Sequence, residues 1–185
     1  MQYPMFHTLD YLKNGSEIQR KSFNLLKEYM VFEHLSEYNP ILIGTIPIDI
    51  AIEESDLDIA CEVYDLKEFE KNCLKHFGIH KEYNFKIKTL RGKEVGIVNF
   101  KIADMRVELY AEGIVVTEQY GYKHMVKEHH LLMQFGQVFK AEILRLKAGG
   151  IKTEAAFAHL LNLEGDPYES LLTYNNLIDV GDKKS

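Results

Sequence analysis

The chain has 185 residues, of which 46% are hydrophobic and 27% charged, with a formal net charge of −6. That length supplies one full hydrophobic core and is short for two ordinary domains, and the composition is that of a soluble globular protein. The acidic balance argues against a protein that grips long nucleic acid, whose affinity rests on clustered Lys and Arg. No uncharged run approaches the roughly 18 residues of a membrane span. The N-terminus, MQYPMFHTLDYL, lacks the basic start and apolar core of a signal peptide. Cys61 and Cys73, one placed on a strand and one on a helix, imply neither a disulfide framework nor a zinc site, and a reducing cytoplasm is the expected compartment.

In chain order, Ser16-Glu17-Ile18-Gln19 reads as a capping box that opens a helix. Ile18, Ser22, Leu25, Leu26, Tyr29 and Phe32 recur at helical spacing as its buried stripe. Asn39-Pro40 stops it, because the residue before proline is pushed out of the helical region. Residues 41–44 read as a short buried strand. Pro47 makes 46–52 a loop or short turn rather than a central strand. Residues 56–64 form the second strand. Asp65 caps a helix with Glu68 at its third position, and Leu66, Phe69, Cys73 and Phe77 line its inner face.

Three strands follow, over 84–90, 95–101 and 104–110, with Arg91-Gly92-Lys93 as the tight turn between the first two. Thr117 is placed to cap a long helix to about Phe135. A second helix runs from about Val138 to Ala148, ended by Gly149-Gly150. Residues 153–163 form an amphipathic helix with Phe157, Leu160 and Leu161 on one face. Asp166-Pro167-Tyr168-Glu169 opens a last short helix with Pro at its first position. The tail GDKKS is expected to fray. The order predicts a mixed α/β (α+β) fold: a β-sheet with flanking helices over 1–115, and a helical C-terminal part over 116–185 packed on it as one globular unit.

Chemistry concentrates in Asn39 to Glu62. Within a strand, side chains alternate between faces, so Leu57, Ile59 and Cys61 point into the core while Asp56 and Asp58 share the other face. Paired carboxylates suit a hard cation such as Mg²⁺ (or Mn²⁺), held together with substrate phosphates. Gly44-Thr45, ten residues upstream, offers backbone N–H groups and a hydroxyl to a phosphate. By themselves, Asp56 and Asp58 also fit a solvated edge-strand pair, and Gly44-Thr45 a plain turn. Later, Val107 and Leu109 face the core and leave Glu108 with Arg106 and Tyr110 on the opposite side. Asp104 shares that parity.

A small hydrophobic residue, Gly and Thr (Ile43-Gly44-Thr45), a spacer of about ten, then Asp56-Leu57-Asp58-Ile59 resembles the signature of the nucleotidyltransferase superfamily with the DNA polymerase beta-type fold. The wider wording (GTIPIDI, SDLDI, VELYAE, KTEAAFAHLLNLEGDPYE) resembles a bacterial domain-of-unknown-function family within it, over nearly the whole chain. The resemblance implies a nucleotidyltransferase-like sheet and a third carboxylate from a later strand, here Glu108, a position where many members carry Asp.

Asp56, Asp58 and Glu108 are thus the expected catalytic and metal-binding residues. Gly44, Thr45, Arg106 and Lys123 are the expected nucleotide- and phosphate-binding residues. Arg106 fits a salt bridge equally well, and Lys86, Lys88, Arg91 and Lys93 fit an exposed hairpin face. Tyr120, Lys123 and His124 share a helix face that could meet a base, although helix packing also explains Tyr120 and His124. His124, His129 and His130 lack the i, i+4 spacing of a zinc pair, and no Ser sits in a nucleophile elbow. The expected reaction moves a nucleotidyl group from an NTP to a small hydroxyl-bearing acceptor. The alternative is a catalytically weak nucleotide-binding or protein-interaction module with a protein partner. Whether the three carboxylates converge around an open cleft, or whether 46–54 and the C-terminal helices fill it, separates the two.

Overall fold

A computed structural model describes residues 3–175. Two short 3₁₀ turns lead to α1 (Glu17–Glu28), a one-turn α2 (Val31–His34), β1 (Ile41–Ile43), β2 (Leu57–Glu62) and α3 (Leu66–Phe77). Then come β3 (Lys81–Leu90), β4 (Lys93–Ile102), β5 (Met105–Glu112), α4 (Tyr120–Ala148), α5 (Thr153–Leu160) and α6 (Pro167–Thr173). The strands form one mixed sheet in the order β1-β2-β5-β4-β3. Only β2 and β5 run parallel, and the other pairings are antiparallel.

The local signals explain where the helices begin. Gln19 Oε1 accepts from the Ser16 N–H at 3.0 Å, one arm of the expected capping box. The same amide donates to the Ile46 carbonyl at 2.8 Å and so ties α1 to the turn over 46–52. Asp65 accepts from the backbone N–H groups of Lys67 and Glu68, and Asp166 from those of Tyr168 and Glu169. The expected Thr117 cap is displaced. Residues 116–118 make a 3₁₀ turn and α4 starts after Gln119, whose buried amide donates to the carbonyls of Cys61 and Ile114. That anchor to the end of β2 fixes the start of α4 better than a threonine hydroxyl could.

The expected break between the two long helices falls at Gly136, with φ 76° and ψ −163° inside α4. That conformation is essentially restricted to glycine and is costly for any other residue. Nothing lies within 4 Å of a Cβ built there, so the cost of a substitution is all backbone. Gly136→Ala should therefore lower stability by about 1–3 kcal/mol. Thermal unfolding checks this, and activity per folded molecule should not change.

Two cores sandwich the sheet. On one face Leu57, Ile59, Val98, Phe100, Val107 and Leu109 pack on Leu25 and Leu26 of α1 and Phe69, Cys73 and Phe77 of α3. On the other, Ile41, Ile43 and Ala60 meet Tyr122 and Met125 of α4, Phe157 of α5, Leu171 of α6 and Phe6 near the N-terminus. The side chains of Ile46, Ile48 and Ile50 are buried too, so 46–52 is a turn folded down beside the site. Cys61 and Cys73 are free and buried. At the far edge β3 is mostly exposed and joined to β4 by the two-residue turn Arg91-Gly92, both with positive φ. No described helix is long and apolar enough to cross a membrane. The tail GDKKS lies outside the described residues.

Candidate functional site

The parallel pairing of β2 with β5 sets Asp58 directly opposite Glu108. Their neighbours Leu57, Ile59, Val107 and Leu109 are fully buried on the α1/α3 side, so both carboxylates are forced to the opposite face. There they line a cavity of about 410 Å³. Its near wall is β1, β2 and β5 with Gly44 and Thr45, its far wall is α4, α5 and α6, and Leu90 and Arg91 of the hairpin close one end. The C-terminal helices wall the cavity without filling it, and the turn over 46–52 stays out of its lining.

Electrostatics single out Asp58. Burial, and then the charges of Glu108 and Asp56, push its carboxyl up to about 7. Glu108 is also raised, first by burial and then by Asp56, with the charge of Lys88 opposing. Two carboxylates held this close repel each other unless protons or a cation intervene. An all-oxygen donor set with that unmet charge fits a hard divalent ion.

Gly44 comes close to this pair. With φ +78° it turns the chain so tightly that a Cβ there would stand 2.6 Å from Asp58 Oδ2. Thr45 donates its hydroxyl to Ser55 Oγ at 3.3 Å, which in turn accepts from the Ile52 N–H at 2.9 Å.

The remaining expected residues lie at different distances from this centre. Asp56 sits half-buried one residue before β2, where its charge reaches both Asp58 and Glu108. It borders a neighbouring cleft that also holds Arg106, Asp104 and Lys101. Arg106 is exposed there, and Asp104 is paired with Lys21 at 2.6 Å. Lys123 is paired with Glu118 at 2.8 Å and faces a separate cavity with Tyr122 and His130. The structure thus brings together Gly44, Thr45, Asp58 and Glu108, with Asp56 at the margin, and sets Arg106 and Lys123 apart.

The cavity also gathers Arg91, read from the sequence as part of an exposed hairpin face, and Tyr120 and His124, read as packing or base-facing positions. With them are Glu128, Glu154 and Tyr168, to which the sequence assigned no site role. The guanidinium of Arg91 lies 3.8 Å over the Tyr120 ring and 5.3 Å over that of Tyr168, and is 3.5 Å from Glu169. These contacts lock the hairpin tip to α4 and α6. His124 packs against Tyr168 with ring centres 3.8 Å apart and planes tilted by 37°, and burial drives its imidazole down to about 4. Beneath it Glu128 is buried and raised well above the usual carboxylate range by burial and by Glu154. Lys147 is buried and pulled down to about 8, and its ammonium donates to the Ile50 carbonyl at 2.7 Å. An alternative signal was available in the His124–Glu128 spacing of four on one helix, which places both on one face.

A sequence profile of the family described as "Domain of unknown function (DUF4269)" matches residues 24–174. A comparison with curated proteins finds no match. Among solved structures the chain is similar to a GLD-2/RNP-8 complex, at 15% identity and a TM-score of 0.50, covering 82% of this chain and 60% of that one. It is also similar to Cid1, described for its RNA terminal uridylyl transferase activity, at 9% identity and TM-score 0.52, covering 71% and 40%. A third is the Cid1 poly(U) polymerase bound to Mg 3′-dATP, at 10% identity and TM-score 0.50, covering 71% and 41%. The chain spans between 40% and 60% of the length of these three structures. At such identities the likeness is one of fold, and that fold is the nucleotidyltransferase fold.

Proposed function

We propose that this chain, which belongs to the DUF4269 family and has the nucleotidyltransferase fold, moves a nucleotidyl group from an NTP to a small hydroxyl-bearing acceptor. The observation that carries this reading is the pairing of Asp58 with Glu108, both raised, on the wall of a cavity of about 410 Å³. Asp58 and Glu108, with Asp56 at the margin, are the residues that would hold Mg²⁺ or Mn²⁺. Such an ion, when bound, supplies positive charge to the phosphate oxygens of attack and departure.

The chain's own groups have separate tasks. Glu108, its carboxyl raised by burial and by the charge of Asp56, accepts the proton of the acceptor hydroxyl. Gly44 and Thr45, against the Asp58 carboxylate, give their backbone N–H groups to phosphate oxygens. Arg91 contributes positive charge from the hairpin, and the charge of the buried Lys147 reaches Asp58 from α4. Tyr120 and Tyr168, both within cation–π reach of the Arg91 guanidinium, offer aromatic faces to a base. The modest cavity volume and the net charge of −6 favour a small acceptor over a long nucleic acid. Two free buried thiols suit a reducing compartment such as the cytoplasm.

The test is a thermal-shift panel of ATP, GTP, CTP and UTP, each with and without Mg²⁺. A ligand that binds only the folded chain raises its melting temperature by mass action, by about 2.7 kcal/mol at a hundredfold excess over Kd. For a chain of this size that is a rise of about 5–10 °C. One nucleotide should give a Mg²⁺-dependent shift and thereby name the donor. The absence of a shift with all four would overturn the reading and direct attention to a protein partner.

A further inference from the structure

The far wall of the cavity holds three side chains that the transfer reaction does not use. His124 and Glu128 lie one turn apart on α4, and Glu154 sits at the start of α5. One ligand atom from each lies within 4.8 Å of the other two. His124 is 3% exposed, and neither of its ring nitrogens has a hydrogen-bond partner among the described residues. A buried imidazole normally satisfies at least one nitrogen, so two orphaned ones mark a missing partner. Glu128 is equally buried at 3% exposure. Among the described residues neither Glu128 nor Glu154 makes an ion pair or a side-chain hydrogen bond. Lys147 is the nearby cation whose charge reaches both, but its ammonium is directed to the Ile50 carbonyl. A buried carboxylate with no partner is costly, and this wall has one beside an unpartnered imidazole.

We propose that His124, Glu128 and Glu154 bind a divalent transition-metal ion at a site separate from Asp58 and Glu108. The donor set decides the class. One imidazole with two carboxylates suits Zn²⁺, Mn²⁺, Fe²⁺ or Co²⁺, whereas Mg²⁺ prefers oxygen donors alone. Donors around such an ion stand about 3 Å apart at bond lengths near 2.1 Å, so a small rotation of the half-buried Glu154 closes the site. The remaining coordination positions face the cavity, because all three residues line it. The ion staples α4 to α5 and holds the far wall at a fixed distance from the sheet. This inference stands independently of the proposed transfer reaction.

The experiment titrates chelator-treated protein with CoCl₂ and follows the visible Co²⁺ absorption, bound-metal stoichiometry and melting temperature. The Asp58→Asn/Glu108→Gln double variant should take up one equivalent with imidazole-type absorption, and the wild-type chain should show that same absorption whether or not a second, carboxylate-bound equivalent follows. His124→Gln and Glu154→Gln should each weaken that binding at least tenfold and remove the metal-linked rise in melting temperature. Glu154 is half-buried, so its variant tests the site even if His124→Gln folds poorly. Binding that is indifferent to His124 and Glu154 would overturn the proposal. So would binding lost only in the Asp58/Glu108 variant, or no uptake at all. None of these outcomes bears on whether nucleotides bind with Mg²⁺.

Discussion

Asp58→Asn is expected to reduce nucleotidyl transfer by about a thousandfold or more, and at the same time to stabilise the metal-free protein at alkaline pH. The first effect follows from removing a carboxylate that would hold the cation. Metal stabilisation of a phosphoryl transition state is worth several kcal/mol, and each ~1.4 kcal/mol is tenfold in rate. The second follows from the raised carboxyl of Asp58, at about 7 in the folded chain. The folded state binds its proton more tightly than the unfolded state does. That stabilisation is complete below the ordinary carboxylate value and is lost as pH rises through about 7.

The shift sets a ceiling of about 4 kcal/mol on the loss. Glu108, Glu128, His124 and Lys147 titrate in shifted ranges as well. The difference between wild-type and Asp58→Asn melting curves, measured with chelator from pH 5 to pH 8, therefore isolates Asp58. The two should diverge towards pH 8, with the variant the more stable. With Mg²⁺ present the wild type should recover at high pH and the variant should not. Parallel curves would show that Asp58 is not desolvated as described, and near-normal turnover in the variant would remove it from the catalytic centre.

Gly44→Ala should impair activity out of proportion to stability. A left-handed backbone costs a residue with a Cβ about 1–2 kcal/mol, and the new methyl would stand 2.6 Å from Asp58 Oδ2. The carboxylate is the softer of the two and swings aside, away from Glu108. Transfer should fall by about 10–100-fold at temperatures where the variant is fully folded, because a displacement of about 1 Å in a positioned group is enough for a hundredfold loss. Gly136→Ala is the matched control, since it strains the backbone with nothing near the added methyl. Kinetics and melting of the two variants side by side check the claim. Equal activity in both would mean that Gly44 is only a turn.

The sequence made the near wall of the site readable and left the far wall hidden, for identifiable reasons. Alternation in Leu57-Asp58-Ile59 and Val107-Glu108-Leu109 fixed which way each carboxylate faces. Their register across β2 and β5 depends on a parallel pairing some 50 residues apart that no local pattern encodes. The break in α4 was legible because Gly136 interrupts a helical run, although Gln119 displaced Thr117 at its start. Tyr120 and His124 were read as one face with Lys123, and two of the three do look into the cavity. Lys123 turns instead to Glu118, about 60° around the helix from Tyr120 and about 100° from His124.

Arg91 was legible only as part of a turn. Ten-residue strands on either side carry it across to Tyr120 and Tyr168, and sheet geometry decides that reach. Glu128 and Glu154 carry no motif that singles them out in the sequence. They become buried or half-buried because α5 folds back along α4 after Gly149-Gly150.

The second core bears on how the chain acquires its shape. A fragment ending at 115 would contain Asp56, Asp58 and Glu108 and every strand. It would also leave much of the face of Ile41, Ile43, Ile48, Ile50 and Ala60 open to water, because apart from Phe6 and its neighbours their partners come from 116 onward. During synthesis the β1-β2 and β3-β4 pairs can join into one sheet only after β5 emerges, since β2 must wait for it across an intervening helix and hairpin. Even then its apolar face stays open until Phe157 and Leu171 arrive. The nascent chain thus passes through a sticky interval in which the carboxylates are present but unsheltered, and chaperone demand should peak there rather than at the finished protein.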